Sequence, residues 1–406
     1  MKLSKYIFIA AIAMLQLTSC SDSGDNNRTR TNISLTPEQQ IMTQDANEFA
    51  VDALKAVNDT GSNVALSPYG LQLSLAMIAN GANGETLGEI TTALHLSSTT
   101  VDALNDYYKT VTNGLINADN RVTINFQSAL WTAKNLTVNS NYENRLKDTY
   151  GTTSSSIDFS SPDALKTINQ WASSASGNKT NNLFDYLDPN TVMCIVNTMN
   201  FDGIWSSPMA EITNGEFAKF TDSKGKEQDC EKFGGTTSVH VSSDADADMV
   251  ELDYGNGAFV MDVLQPKHGE SINEFVADLT SQKISSYISG LKSNKVILYM
   301  PKFETTQKHN LIEVLETLGI KKIFGGGDLT GIVKADFAIS QYVQQLYVKV
   351  DKEGTKISVS TGSSGNPTAM IGNIFNVDGP FIYMVRERST GAILLIGKVQ
   401  TMAGMQ

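Results

Sequence analysis

The segment between residues 350 and 397 constrains the fold of this chain more than any other part of the sequence. A strand-like stretch leads into a long Ser, Thr and Gly-rich stretch that reaches Asn373, and strand-like sequence returns near 381–386 and 393–399. Four β-branched residues occupy alternate positions early in the polar stretch: Thr355, Ile357, Val359 and Thr361. A period of two predicts a strand with one buried face, whereas the Ser, Gly and Pro residues that follow predict an exposed loop. We infer that this segment can change from an exposed loop to a β-strand.

Length and composition predict a globular protein. The chain has 406 residues, of which 41% are hydrophobic and 18% are charged, and this allows one large domain or two ordinary ones. We find no internal repeat and no linker after residue 32, so residues 33–406 are predicted to form one domain. The formal net charge of −12 argues against a nucleic-acid partner, since nucleic-acid-binding proteins carry basic stripes.

The N-terminus has the organisation of an export signal over residues 1–19. A basic head precedes an apolar run at 6–17 that is too short for a comfortable membrane span. Leu17-Thr18-Ser19-Cys20 resembles the lipobox of bacterial lipoproteins, in which the peptide is cut before the cysteine and the cysteine is acylated. An ordinary signal peptide with an incidental cysteine is the alternative.

Residues 20–32 are predicted to be a flexible tether, because residues 21–32, which follow the cysteine, include no hydrophobic residue. Two or three acyl chains hold a protein stably on a membrane. We therefore expect export across the inner membrane of a bacterium and a lipid anchor on Cys20, at the outer membrane or the cell surface.

The other cysteines, Cys194 and Cys230, are interpreted as unpaired thiols. Export permits a disulfide between them, which is the alternative. Cys194, however, lies within an apolar run at 192–196 and is typical of a buried strand residue.

Helical patterns gather early in the chain and strand patterns late, which favours an α+β fold over a doubly wound sheet. Helices are predicted near 37–57, 68–82, 84–96, 101–115 and 162–175, and a strand is predicted near 122–131. Strands dominate from residue 193 onward, interrupted by helical patches at 271–291 and 307–318.

Eight motifs in sequence order resemble those of the serpins, over roughly residues 35–401. They lie at 63–82, at 84–86, at 196–205, at 249–254, at 300–303, at 328–332, at Glu353-Gly354-Thr355, and at Pro380-Phe381 together with 391–397. The resemblance implies a single α+β domain with three β-sheets, eight to nine helices and an exposed reactive-centre loop. It also implies that the chain inhibits serine or cysteine proteases by a conformational trap.

The resemblance assigns roles to particular residues. The loop hinge would comprise Glu353, Gly354, Thr355, Ile357 and Val359, and the region where the main sheet opens would comprise Ser67, Asn197, Trp205 and Gln344. Family members often carry a histidine where this chain has Gln344. A glutamine can still hydrogen-bond to Asn197 across the opening.

The implied mechanism begins when a protease cuts the exposed loop and forms an acyl-enzyme with it. The freed segment, from Thr355 toward Asn366, then enters the main sheet as an extra strand. Capture requires that the segment inserts into the sheet faster than the acyl bond is hydrolysed. Ile357 and Val359 are larger than the small residues that the family usually has there, and extra volume slows insertion into a packed sheet. A non-inhibitory, serpin-like surface binding protein is therefore the alternative.

Loop length places the scissile bond after Thr368, Ala369 or Met370. Counting forward from Thr355 gives the first of these positions, and counting back from Phe375 gives the second. No Lys or Arg lies between Ile357 and Val385. A trypsin-like target is disfavoured, because its acidic pocket requires a basic residue, and the sequence favours elastase-like, subtilisin-like or chymotrypsin-like targets.

Motifs for other chemistry are absent from the sequence. The histidines are scattered and are interpreted as solvated surface residues: His95, His240, His268 and His309. There is no zinc motif and no nucleophile elbow, and the acidic residues at 244, 246 and 248 lack the glycine and glutamate of a calcium loop. We therefore expect no enzymatic activity, no cofactor and no metal, and a monomer whose partners are a target protease and a membrane.

Overall fold

The computed structural model describes residues 30–178, 182–213, 215–335, 338–339, 342–355 and 373–405. Within these ranges the α-helices are α1 (Pro37–Val57), α2 (Pro68–Ala79), α3 (Gly84–Ala93), α4 (Val101–Asn117), α5 (Ser140–Tyr150), α6 (Pro162–Ala175), α7 (Ile272–Asp278), α8 (Ser281–Ser289) and α9 (Ile312–Thr317). The strands are β1 (Val64–Leu66), β2 (Val122–Ala133), β3 (Thr153–Ile157), β4 (Met193–Ile204), β5 (Ala210–Ile212), β6 (Lys219–Thr221), β7 (Glu227–Asp229), β8 (Lys232–Ser243), β9 (Ala247–Asp253), β10 (Phe259–Pro266), β11 (Lys292–Pro301), β12 (Phe303–Asn310), β13 (Val343–Asp351), β14 (Gly354–Thr355), β15 (Asn373–Asn376), β16 (Phe381–Glu387) and β17 (Ile393–Val399).

The described strands form three sheets. A nine-stranded sheet has the order β1-β17-β16-β10-β9-β8-β11-β15, with β5 beside β8, and a six-stranded sheet has the order β12-β13-β14-β4-β2-β3. The third sheet is the hairpin of β6 and β7. Three sheets and nine helices in these ranges confirm the predicted α+β fold.

Helix α2 lies at the centre of the molecule, against β4 of one large sheet and β17 of the other. Its position explains the apolar run in the sequence, since all of its residues are buried. The helix begins at Ser67, whose hydroxyl accepts a hydrogen bond from the Gly70 amide at 3.1 Å, and Pro68 occupies the first turn, where no amide donor is needed. The local signals of a helix start therefore predict where this helix begins.

Two of the predicted helical patches are wrong in detail. The patch at 271–291 is two helices, because Leu279 and Thr280 are extended and the Thr280 hydroxyl caps α8. In the patch at 307–318, residues 307–310 belong to β12, which pairs with β13 along its whole length. Tertiary pairing outweighs local preference in this polar strand, as it often does in sheets.

Cys194 and Cys230 are both buried and do not form a disulfide, as interpreted from the sequence. Burial raises the pKa of the Cys194 thiol to about 12. Thiolate formation is therefore suppressed, and Cys194 is a poor nucleophile.

No helix in the described ranges has both the length and the apolar character needed to cross a bilayer.

A buried ionic cluster joins three adjacent strands of the nine-stranded sheet. The Arg386 guanidinium donates to Asp262 at 2.5 Å and also bonds to Glu251. The side chains of all three are at most 5% exposed. A cation removed from such a cluster leaves buried carboxylates without compensation.

We expect Arg386→Met to lower the free energy of unfolding by about 3–5 kcal/mol, since the buried Asp262 loses its cation and the buried Glu251 keeps only Arg388. The control is Lys308→Met, which removes an ion pair with Asp185, a carboxylate that is 78% exposed. That change should cost at most about 1 kcal/mol. Urea denaturation of both variants measures the difference, and equal midpoints for the two would contradict the expectation.

Candidate functional site

The chain turns back after β13 and starts a new strand inside the six-stranded sheet. That strand, β14, comprises only Gly354 and Thr355 among the described residues. Thr355 is opposite Val350 on one side and Gly203 on the other, so β14 is paired with β13 and with β4. Two of the residues predicted to form the hinge, Gly354 and Thr355, therefore lie in a short strand between β13 and β4.

Gly354 is the only residue type that fits at its position. Its φ is +151°, and a Cβ atom there would lie 2.0 Å from the carbonyl oxygen of Gly203. Side chains rarely adopt this backbone conformation, and the contact would be with main chain that cannot rotate away. Glycine thus allows β14 to approach β4 closely enough to pair.

Trp205 fixes the turn that precedes β14. Its indole Nε1 donates to the Asp351 carbonyl at 2.8 Å, and its amide donates to the Glu353 carbonyl at 3.0 Å. The indole also stacks on Tyr254 with ring centroids 4.5 Å apart. Trp205 therefore binds the hinge from both its main chain and its side chain.

Thr355 is buried and hydrogen-bonded. Its side chain is 5% exposed, and its hydroxyl bonds to the Tyr254 hydroxyl at 2.5 Å. Burial raises the pKa of Tyr254 well above its ordinary value, so the phenol stays neutral and available for this hydrogen bond. Thr355 is therefore on the buried side of β14, and its role on the inward face of an inserted loop stays a prediction.

A chain of ion pairs that the sequence analysis missed holds the hinge turn from outside. The Lys352 ammonium lies 3.3 Å from Glu211, which also lies 3.8 Å from Lys302. Lys302 bonds to Glu231 at 2.7 Å, and this hydrogen bond raises the pKa of Lys302. Nothing in the sequence pairs Lys352 with Glu211, because the two are far apart in the chain and Glu211 lies in a three-residue strand.

Gln344 binds the start of α2 with both ends of its amide. The Ser67 amide donates to Gln344 Oε1 at 2.8 Å, and Gln344 Nε2 donates to the Ser67 carbonyl at 3.0 Å. The Ser67 hydroxyl donates to the Leu394 carbonyl at 2.8 Å. The structure thus brings Ser67 and Gln344 together, and their role in sheet opening stays a prediction. The Asn197 main chain lies on β4, but its side chain is outside the described part, so a Gln344–Asn197 bond stays a prediction.

His309 lies next to this contact, which the sequence analysis did not foresee. It is directly opposite Gln344 in the register of β12 and β13, and its Nε2 lies 2.8 Å from the Ala65 carbonyl. Its interpretation as a solvated surface histidine is wrong, because β12 places the ring against β1. His95 is exposed, in agreement with its interpretation, and its Nε2 lies 2.9 Å from the surface carboxylate of Asp52.

The strands β4 and β13 enclose a slot between the hinge and Gln344. Among the described residues they are joined only through β14. A cavity of about 20 Å³ lies beside Thr355, bordered by Phe201, Leu346 and Val348. A second cavity, of about 30 Å³, is bordered by Thr198, Ser67 and Gln344. The slot is therefore apolar near the hinge and polar near α2.

Six predicted site residues lie outside the described ranges: Cys20, Ile357, Val359, Thr368, Ala369 and Met370. The chain resumes in β15, which runs parallel to β11 at one end of the nine-stranded sheet. Residues 356–372 thus connect the two large sheets.

Two carboxylates of the acidic turn between β8 and β9 form ion pairs with lysines. Asp246 pairs with Lys283 at 2.6 Å, and Asp248 pairs with Lys267 at 2.5 Å. Nearby, His240, Glu251 and Asp253 offer ligand atoms within 4.8 Å of one another. Arg388 bonds to both of these carboxylates, and its charge disfavours a cation there.

Comparisons with known proteins agree with this geometry. A family model described as "Serpin (serine protease inhibitor)" matches residues 44–402. The chain is 29% identical to "Iripin-3" of Ixodes ricinus over 350 residues, which cover 84% of this chain and 89% of that protein.

Two solved structures share the fold. The native state of Tengpin, a thermophilic serpin, matches with a TM-score of 0.79 at 24% identity, over 91% of this chain and 96% of that chain. Thyroxine-binding globulin in complex with thyroxine matches with a TM-score of 0.81 at 22% identity, over 89% of this chain and 99% of that chain.

We expect Gly354→Ala to expel β14 from the sheet, because the new methyl group would meet the Gly203 carbonyl. Hydrogen exchange should speed up at the amide of Thr355 and along the facing edge of β4. The control is Gly88→Ala on α3, where a Cβ would have no neighbour within 4 Å. Unchanged exchange in the Gly354 variant would show that the close approach does not require glycine.

Proposed function

The chain belongs to the serpin family, and from this premise we propose that it traps a serine protease as a suicide substrate, with residues 356–372 as the bait. Serpins are protease inhibitors and not enzymes, so the chain needs no nucleophile of its own. The observation that carries the proposal is β14, which has already begun the strand that a cleaved loop would complete.

The register of β14 determines where the rest of the loop would lie. Continued in the same antiparallel register, residue 357 would face Phe201 and Val348, and residue 359 would face Met199 and Leu346. Phe201, Val348 and Leu346 are buried. The alternating residues predicted to face inward would therefore enter the core, while Lys356 and Ser358 would face outward.

The slot supports insertion of larger side chains than the family usually carries. Ile357 would enter beside the apolar cavity that borders Phe201, Leu346 and Val348. Filling an apolar cavity with a methyl-bearing side chain is favourable when the site has room. The size of Ile357 is therefore an adaptation to this slot in our proposal, and not an obstacle to inhibition.

The bait sequence favours targets that accept small or apolar side chains. The candidate scissile bonds follow Thr368, Ala369 or Met370, and no basic residue lies between 357 and 385. We propose an elastase-like, subtilisin-like or chymotrypsin-like target.

The second candidate is a non-inhibitory surface binding protein. Ile357 and Val359 favour it, because bulky inward residues slow insertion in a closed sheet. Thyroxine-binding globulin shows that a chain with this fold binds a small molecule.

The test is a mixture of the purified protein with subtilisin, pancreatic elastase or chymotrypsin, followed by a denaturing gel. We expect a covalent band that survives boiling in detergent. Mass spectrometry of the released C-terminal peptide should identify the bond that was cut. Clean loop cleavage with full residual protease activity would favour the second candidate.

Thr355→Arg should convert the inhibitor into a substrate, since it places a cation without a partner on the buried face of β14. The covalent band should disappear while loop cleavage continues. Thr306→Arg, on the exposed side of β12 in the same sheet, is the control and should leave the band unchanged. Full inhibition by the Thr355 variant would contradict the insertion step.

We also propose that the chain is a bacterial lipoprotein, exported with residues 1–19 as its signal and held at the outer membrane or cell surface by acyl chains on Cys20. The support is the lipobox-like sequence Leu17-Thr18-Ser19-Cys20 and the polar tether that follows it. Residues 33–406 would then be displayed as a monomeric inhibitor domain.

Cys20→Ser should abolish incorporation of labelled palmitate during expression in a Gram-negative bacterium. The variant should also move from the detergent phase to the aqueous phase in a Triton X-114 partition. Cys230→Ser is the control, because its buried thiol is not expected to be acylated. Labelling that persists without Cys20 would exclude the anchor.

A further inference from the structure

Ile374 stands out on the strand that follows the reactive loop. It is the second residue of β15, and its side chain is 53% exposed, whereas Val377 a few residues later is fully buried. β15 is the terminal strand of the nine-stranded sheet. A large apolar side chain is therefore presented to solvent on an outer strand.

Hydrogen bonds between polar side chains support the chain just after Ile374. The ammonium of Lys232, which is fully buried, donates to Asn376 Oδ1 at 2.8 Å, and Asn376 Nδ2 donates to Asp378 at 3.0 Å. Gln265, which is 8% exposed, donates to the other oxygen of Asp378 at 3.1 Å. Burial lowers the pKa of Lys232 to about 8. Ile374 thus projects from a supported strand, which is the arrangement that a precise contact requires.

A cleft of about 340 Å³ opens beside Ile374, toward the turn after β10. Lys267 and His268 border it, and acids lie beside both: Lys267 pairs with Asp248 at 2.5 Å, and the His268 ring lies 3.7 Å from Asp378. The charge of Lys267 is therefore balanced by Asp248. The exposed apolar side chain is the feature left to recognise a partner.

In the proposed function, the reactive loop would bring the target protease close to Ile374. Ile374 is at most six residues from the candidate scissile bonds, a span of about 20 Å at roughly 3.3 Å per residue. A protease of roughly 250 residues has a radius of gyration of about 18 Å. A protease bound at residues 368–370 would therefore have its surface within reach of Ile374.

We propose that Ile374 and the adjoining cleft form a second contact for the target protease, on the C-terminal side of the cut. The proposal rests on the proposed function, because that function supplies the protease. The contact would accept an uncharged, apolar part of the enzyme surface. It would increase the rate at which the protease cleaves the loop, whether the enzyme is then captured or released.

The experiment measures how fast intact protein disappears when it is mixed with subtilisin, elastase or chymotrypsin. This rate includes both the molecules that capture the enzyme and the molecules that are only cleaved. We expect Ile374→Asp to lower it about tenfold and Ile374→Ser about threefold with at least one of the enzymes, as for a contact residue at an interface. The matched control is Ile116→Asp on α4, where an isoleucine is 46% exposed, and it should stay within about twofold of the unmodified protein. Thermal melting confirms that each variant is folded.

The outcomes separate this contact from the proposed function. If the Ile374 variants lose intact protein as fast as the unmodified chain with all three enzymes, the contact is overturned while a covalent complex would still stand. If the unmodified chain is only cleaved and never captured, inhibition fails, and slower cleavage of the Ile374 variants would still support the contact. If none of the enzymes attacks the unmodified chain, the contact and the proposed function fail together for these targets.

Discussion

The pairing of β14 between β13 and β4 is the interaction on which the proposed function depends. The two described residues of β14, Gly354 and Thr355, pair with β13 on one side and with β4 on the other. This is sterically possible because Gly354 lets the main chain pass within contact distance of Gly203. An extended residue between two strands can pair its main chain on either side, so each residue added to β14 would satisfy backbone groups that otherwise need water. In the proposed mechanism, the start of the strand would thereby direct the residues that follow it into the slot.

The two ends of the slot are held in different ways. At the hinge, stacking on Trp205, burial of Thr355 and the ion pairs around Glu211 act together. At the other end, the contact between Gln344 and Ser67 consists of two hydrogen bonds, which together are worth about 1–3 kcal/mol. Each inserted residue would add a backbone hydrogen bond of about 0.5–1.5 kcal/mol, so a few residues suffice to outweigh that contact. In the proposed mechanism the sheet would therefore open from the hinge toward the weaker contact between Gln344 and Ser67.

Local signals in the sequence predict local structure well in this chain. The capping box at Thr36 and Gln39 and the Ser67-Pro68 start mark where α1 and α2 begin. The polar strand β12 was missed because its main-chain pairing with β13, and not its composition, makes it a strand. Contacts between distant residues, such as Lys352 with Glu211 or His309 with Ala65, leave no periodic signal, so only the folded structure reveals them. The order of the motifs predicted the architecture, but it could not supply these contacts.

The connection between the two large sheets gives the two halves of the loop different roles. Residues 356–372 follow β14 of one sheet and precede β15 of the other, so in the proposed mechanism entry of the intact loop into the slot would require one of these two ends to move. A cut near Ala369 removes that constraint on the N-terminal half only. The C-terminal half stays attached to β15, whose position is fixed by Lys232, Asn376 and Asp378. In the proposed mechanism, the part of the loop before the cut would be free to move with a bound enzyme, while the part after it would remain attached to β15. Recognition and trapping can in this way be assigned to separate residues of one continuous chain.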